Sequence, residues 1–373
     1  MNAPQVQSIA ITGCGWVTPF AAGTIGDVLQ RLAAVDQTAP TQASFHGVPE
    51  HVLGPLDGIP AEARRERQVL HAAVALRHAL ASAALDLSTV DSARVGLAIG
   101  CALAGQVGMI DFAEDVRAQS PRFVSPIRFP QTVGNYPAGA LARAFGLRGP
   151  SVTLASGTAG GLEAIREAAA WLVTGAADVA IAGGSDVFTE ALAAGLKDES
   201  LPPLADGACL FVLERADHAR TRGANPLGAI ELGGKSSPKD NVAARMPVSD
   251  RPPAQSGTTI PPGEVVSSAG FAHSGAIYIE HWTGRALAAS GAAAVAAALG
   301  AWAGHPVPLV SADSTMHVAR IASPLDHSPP AADSVRPAHP AATILAGSCP
   351  KEAASVFLTV PSNSDSDLRS GIR

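Results

Sequence analysis

Ser151-Val-Thr-Leu-Ala-Ser-Gly-Thr-Ala-Gly-Gly-Leu-Glu-Ala-Ile, continuing through alanine-rich sequence to Asp178-Val-Ala-Ile-Ala-Gly-Gly184, decides the fold of this 373-residue chain. A β-branched run, a turn of small residues, a helical stretch from Ala159 to Val173 and a second β-branched run form a strand–helix–strand unit, the building block of an α/β sheet. The same alternation extends outward. Ile9-Ala-Ile-Thr, Val95-Gly-Leu-Ala-Ile and Cys209-Leu-Phe-Val-Leu read as strands. Ala61 to Leu85, with Val69, Ala73, Leu76 and Leu80 on one side, reads as an amphipathic helix. Gly234 to Ala269 is rich in Pro, Ser, Gly and Thr without periodicity and is expected to be a long loop. Ala286 to Ala303 is apolar but interrupted by Ser290, Gly291 and Gly300, which favours a buried helix over a membrane span. Val307-Pro-Leu-Val, Ala342-Thr-Ile-Leu-Ala and Ala354-Ser-Val-Phe-Leu-Thr-Val read as strands, with a loop from Ser323 to Pro340 and a polar tail from Ser362. Strand, small turn, Ala-rich helix and strand occur at Ser151 to Gly184 and again around Gly275 to Ser311, a pattern that points to internal duplication.

Composition narrows the function. With 26 Lys plus Arg against 32 Asp plus Glu, the net charge of −6 argues against nucleic acid as a partner. A 47% hydrophobic share with 16% charge describes a chain with ample core. The N-terminus has no basic-then-apolar leader, so a cytoplasmic location is expected. Cys14, Cys101, Cys209 and Cys349 are scattered without a Cys-x-x-Cys pair, which indicates neither a disulfide framework nor structural zinc. Cys101 and Cys209 read as small apolar residues. Cys349 in a turn reads as a structural thiol, the alternative being a nucleophile with His281 or His273 as base. His71 and His78 are seven apart on one helix and, lacking a third ligand, are expected on its polar surface. Neither Gly183-Gly184 nor Gly13-x-Gly15 completes a dinucleotide loop. No metal and no organic cofactor are implied.

Several strings, in order, resemble the β-ketoacyl synthases of the thiolase superfamily. They are Ile11-Thr-Gly-Cys-Gly-Trp-Val-Thr-Pro, Arg128-Phe-Pro-Gln-Thr-Val-Gly-Asn, Gly146-Leu-Arg-Gly-Pro-Ser-Val-Thr, Gly161-Leu-Glu-Ala-Ile, Gly175-Ala-Ala-Asp-Val-Ala-Ile-Ala-Gly-Gly-Ser-Asp and Asp206-Gly-Ala-Cys-Leu-Phe-Val-Leu-Glu. Beyond Glu214 only Trp282-Thr-Gly-Arg-Ala-Leu-Ala-Ala-Ser-Gly-Ala keeps the likeness. The resemblance implies a five-layer α-β-α-β-α fold with a reduced C-terminal half. It divides the chain into a ketosynthase-like half (1–230), the loop (231–270), the reduced half (271–361) and the tail (362–373).

At the matching positions the chemistry differs. The family's nucleophile is a Cys at a helix N-terminus, where the dipole and free N–H groups lower its pKa and hold the thioester oxyanion. Counted from Gly149-Pro150, that position falls on Thr158, whose hydroxyl is inert without an adjacent base. The family's His-Gly-Thr-Gly-Thr string has no counterpart, its other histidine falls on Arg285, and its lysine on Glu280. Glu280 and Arg285 either pair across a vacant pocket or stand as two separate surface charges.

Loss of all four polar roles implies a catalytically silent subunit similar to a chain-length factor. Such a subunit forms a heterodimer with an active ketosynthase and shapes the tunnel for a growing polyketide or aryl polyene chain. The resemblance implies that Ser151, Val152, Thr153, Leu154 and Ala155 pair with the partner's equivalent strand, and that the acyl carrier protein docks on the active subunit. Gly105-Gln-Val-Gly-Met-Ile-Asp-Phe falls where the family caps the tunnel, making Met109 and Phe112 length gates, the alternative being plain core residues. The rival functions are a scaffold that only stabilises the ketosynthase, and an acyl hydrolase or decarboxylase using Ser156 or Thr158.

Overall fold

Strands buried on both faces organise the chain in a computed structural model that describes residues 8–34, 45–196, 203–231, 265–267, 277–278, 286–302, 307–310, 316–319, 341–346 and 354–359. In order, the elements are β1 (Ser8–Val17), β2 (Ala22–Gly23), α1 (Ile25–Ala34), β3 (Phe45–His46), α2 (Glu50–Leu53), α3 (Arg67–Ser82), β4 (Val95–Gly100), α4 (Gln106–Gln119), α5 (Tyr136–Phe145) and β5 (Ser151–Leu154). Next come α6 (Gly160–Thr174), β6 (Val179–Asp186), α7 (Glu190–Gly195), β7 (Leu204–Ala205), β8 (Gly207–Arg215), α8 (Ala216–Thr221), β9 (Gly228–Glu231), β10 (Val265–Ser267) and β11 (Ile277–Tyr278). The last are α9 (Ala288–Trp302), β12 (Val307–Val310), β13 (Met316–Ala319), β14 (Ala341–Ala346) and β15 (Ala354–Thr359).

The main sheet runs β11-β10-β14-β15-β9-β1-β8-β6-β4-β5, and β2 folds back on β1. Its two halves repeat one pattern. In the first, β5 and β6 flank β4 in parallel, then β8 and β1 follow antiparallel. In the second, β11 and β14 flank β10 in parallel, then β15 and β9 follow antiparallel. The halves meet where β1 pairs with β9. The sequence repeat is therefore a topological repeat, with a different closing strand: Val307–Val310 pairs with Met316–Ala319 in a separate sheet, and Ala341–Ala346 takes the equivalent place. A four-residue apolar run looks the same in either position.

Side chains alternate across the first half-sheet. Ala208, Leu210 and Val212 pack with α3, and Cys209, Phe211 and Leu213 with α6 and α9. On β6, Val179 and Ile181 face α3 whereas Ala180 and Ala182 face α6 and α9. Small residues thus line the middle of the molecule, where α6 and α9 lie against each other and contact strands of both half-sheets. A Cβ on Gly161 would stand 2.2 Å from the Ala288 carbonyl oxygen, and one on Gly184 2.4 Å from it. After Glu231 the described residues hold one helix, α9, in this middle layer.

Two local expectations change. The helix expected over Ala61–Leu85 splits into a 3-10 turn, Ala61–Arg64, and α3, because Glu66 turns extended and caps α3 by accepting from the Gln68 and Val69 N–H groups. Val265–Ser267, inside the expected loop, is a strand. Helix α4 was invisible to periodicity because it has no buried residue.

Glu214 ties the first half together. Its buried carboxylate accepts from Thr12 Oγ1 (2.5 Å), Arg222 Nη2 (2.5 Å) and Nε (2.8 Å), and contacts His218 Nδ1 (2.7 Å), while Arg222 Nη1 also donates to the Ala83 carbonyl at the end of α3 (2.9 Å). Burial alone would raise its pKa, but the hydrogen bonds from Arg222, Thr12 and His218 outweigh it and hold the group below the usual carboxylate range. That stability is present above the ordinary glutamate pKa and is lost as the pH falls through the lowered one. Glu214→Gln is expected to cost about 3–5 kcal/mol in urea unfolding at pH 7, because Arg222 loses its buried partner, and the deficit should shrink below pH 4. Gly161→Ala should cost about 1–3 kcal/mol. Gly139→Ala in α5, with open space around it, should be neutral or stabilising by about 0.5–1 kcal/mol in the same assay.

Candidate functional site

The parallel strands β4, β5 and β6 end on one side of the sheet, and the turn leaving β5 places Thr158 there. Gly157 takes φ +60° and opens a 3-10 turn, Gly157–Ala159, that runs straight into α6. The Cys101 N–H donates to the Leu154 carbonyl (2.9 Å), fixing the end of β5 to β4. No side chain caps α6, since its N-cap is Ala159. Nothing among the described residues hydrogen-bonds the buried Thr158 Oγ1. A hydroxyl without an adjacent base is a weak nucleophile. Glu280, Arg285, Cys349, His273 and His281 lie outside the described residues.

The start of α9 reaches the same place and is capped by a carboxylate. Asp186, fully buried at the end of β6, accepts from the N–H groups of Ala288 (2.9 Å), Ala102 (2.9 Å) and Leu103 (3.1 Å). Burial pushes its pKa up to about 7, against the pull of these three donors. Asp206, also buried, accepts from the Phe188 N–H (2.8 Å) and pairs with Arg67 Nε at 3.5 Å, and burial raises it to about 6. Glu66 at the α3 cap is raised too, again by burial. Asp206 and Glu66 therefore share Arg67, while Asp186 is held by backbone N–H groups. Sequence reading passed over them because Gly-Gly-Ser-Asp186 and Asp206-Gly look like strand ends and turns.

Cys101 and Cys209 are fully buried, and burial raises both thiols well above the usual range, which disfavours the reactive thiolate. His71 does not lie on the polar helix surface. It is buried, held neutral with a pKa lowered to about 3 by burial and by Arg67, and its Nδ1 lacks a hydrogen-bond partner. Apolar residues on both sides of α3 explain this, because the helix is covered by β1 and β8 on one side and packs with α5 as well.

Met109 and Phe112 both lie on α4. Met109 is 48% exposed, and the half-buried Phe112 ring meets Phe129 edge-on at 5.9 Å. Arg128 clamps the segment Pro126–Thr132 onto α4 through Asp111 (3.9 Å) and Asp115. Phe123 (75% exposed), Ile127 (78%) and Phe129 (57%) complete an apolar surface on this unit. Ser151–Leu154 forms the last strand of the sheet, paired with β4 alone among the described residues. Ser151 and Ala155 are exposed and Val152, Thr153 and Leu154 half-buried.

A cleft of about 420 Å³ lies at the far end of α6, lined by Leu172, Thr174, Gly175, Arg215 and Asp217. It is roughly 22 Å along the helix from Thr158 and separate from this site. Among the described residues no group of His, Cys, Asp and Glu is arranged to hold a metal, and no helix is long and apolar enough to cross a membrane.

A family model described as beta-ketoacyl synthase, N-terminal domain, matches residues 30–217, just over half of the chain. The 3-oxoacyl-(acyl-carrier-protein) synthase 2 of Vibrio cholerae serotype O1 is 32% identical over 168 residues, covering 39% of this chain and 41% of that protein. The ishigamide ketosynthase/chain length factor superposes with a TM-score of 0.69 at 15% identity, over 96% of this chain and 100% of that one. A ketosynthase structure bound to the hexaketide in complex with its type II polyketide synthase acyl-carrier protein gives 0.66 at 17%, over 96% and 100%. The thiolase-like α/β fold is thus shared along nearly the whole length, and with the family model over its first half the chain belongs to the β-ketoacyl synthase family.

Proposed function

We propose that this chain is a catalytically silent ketosynthase-like subunit that pairs with an active β-ketoacyl synthase and helps to set the length of a polyene or polyketide chain carried by an acyl carrier protein. The observation that carries this reading is Thr158: a hydroxyl at the helix terminus that matches the family's nucleophile position, with no group among the described residues bonded to it that would take its proton. Two surface features support it. Strand Ser151–Leu154 offers an edge unpaired among the described residues, and the unit bearing the half-buried Phe112 exposes Met109, Ile127 and Phe129, apolar side chains that water solvates poorly. Ser151, Val152, Thr153, Leu154 and Ala155 are the strand that would continue into the partner's sheet. Met109 and Phe112 would close the end of its acyl tunnel. The chain needs no metal or organic cofactor for this role, and the acyl carrier protein would visit the active subunit. Aryl polyene assembly is preferred over aromatic polyketides because the sequence likeness fades after Glu214.

Co-expression with a ketosynthase, purification through a tag on this chain and native mass measurement test the reading. The expected product is a one-to-one heterodimer in which only the partner's cysteine becomes acylated. A homodimer that itself takes up acyl groups would overturn it and return Ser156 and Thr158 to consideration as hydrolase or decarboxylase nucleophiles. Ile127→Asp is expected to weaken association at least tenfold, about 1.4 kcal/mol. Met109→Ala and Phe112→Ala are expected to lengthen the product; unchanged length from an intact pair would favour the scaffold role.

A further inference from the structure

The turn after β4 is bonded in three directions. Cys101 N–H holds the end of β5, Ala102 and Leu103 N–H groups bind Asp186, and the Leu103 carbonyl accepts from Gln106 N–H (3.0 Å) at the first residue of α4. The other oxygen of Asp186 receives Ala288 N–H at the first residue of α9. Immediately before it, Leu287 has φ +42°, a conformation costing a non-glycine residue about 1–3 kcal/mol, and its side chain packs with the cluster of Phe188, Ala193 and Leu204. The Ala288 carbonyl fills the space that a Cβ on Gly161 or Gly184 would need, so the start of α9 lies against α6 within one turn of Thr158.

We infer that Asp186 is a positioning residue whose ionised carboxylate locks the starts of α4, α6 and α9 together, and whose protonation releases that lock. This rests on the reading of α4 as the length-setting helix for its consequence, though not for the lock itself. A protonated acid turns one acceptor into an O–H donor facing amides that are themselves donors, so at least one of the three bonds is lost. Leu287 is then free to relax to negative φ. Among the described residues the charged or titratable groups bearing on Asp186 are Asp206, just before β8, and Cys101, just after β4, while Glu66 and Arg67 at the start of α3 bear on Asp206. Only Arg67 is cationic, and it is engaged by Asp206. Burial favours the protonated state of Asp186 and the three N–H donors favour the ionised one, so the two states oppose each other at this carboxyl.

Hydrogen exchange of the full chain at pH 6 and pH 8, corrected for intrinsic rates, tests the lock. Peptides covering 101–106 and 286–290 are expected to open at least tenfold more often at pH 6, with the middle of α6 unchanged. In Asp186→Asn both peptides should show the low-pH level at either pH. Equal protection of the wild type at both pH values would overturn the inference, as would a pH difference that persists in the variant. If Asp186→Asn fails to fold, the wild-type comparison alone decides. Paired with its ketosynthase, the wild type is expected to change its product-length distribution between pH 6 and pH 8 relative to Asp186→Asn. A pH-dependent lock with no such change supports the lock and counts against the length-setting reading of α4, which separates the two.

Discussion

Everything in the middle of this molecule depends on how closely two helices approach. The Ala288 carbonyl stands where Gly161 and Gly184 have no room for even a methyl group, and alanines fill most of the remaining contact between α6, α9 and the strands on either side. Such packing trades apolar area per residue for closeness of backbone, which is why the chain is rich in Ala and Gly and poor in aromatics. It also brings two helix N-termini to one spot. One is capped by a buried carboxylate, and the other follows a threonine hydroxyl that nothing among the described residues hydrogen-bonds. The turn after β5 and the start of α9 thus converge on one place, with Thr158 at the first and Asp186 at the second.

Legibility in the sequence followed burial. Strands such as Val179–Asp186 and Gly207–Arg215 are buried on both faces, so their apolar runs had a single reading. Helix α6 was equally plain, since one face carries Leu162, Ile165, Ala168, Ala169 and Leu172 into the core. Helix α4 was not, because a helix that presents no buried side chain leaves no period. The repeat was visible through its helices but misjudged at Val307–Val310, where composition carries no information about which strand will be the neighbour.

The site divides along the same line. Thr158 was located by counting from Gly149-Pro150, since that position is set by a local turn. Asp186 and Asp206 escaped notice because their importance lies in partners more than fifty residues away or across a strand end, including Ala102 and Ala288. His71 misled for a related reason. A histidine seven residues from another suggests a shared polar face, but a helix covered by a sheet and by a second helix has little such face to offer.

Among the described residues, strand Ser151–Leu154 ends the sheet with one row of backbone donors and acceptors turned away from β4, and the unit around α4 separately exposes Phe123, Ile127 and Phe129. An edge of that kind does not discriminate strongly between a correct mate and any other extended segment. A copy whose edge is left uncovered is therefore prone to pair with other copies of itself, so the concentration at which this chain stays dispersed is set by a few backbone groups and not by its net charge.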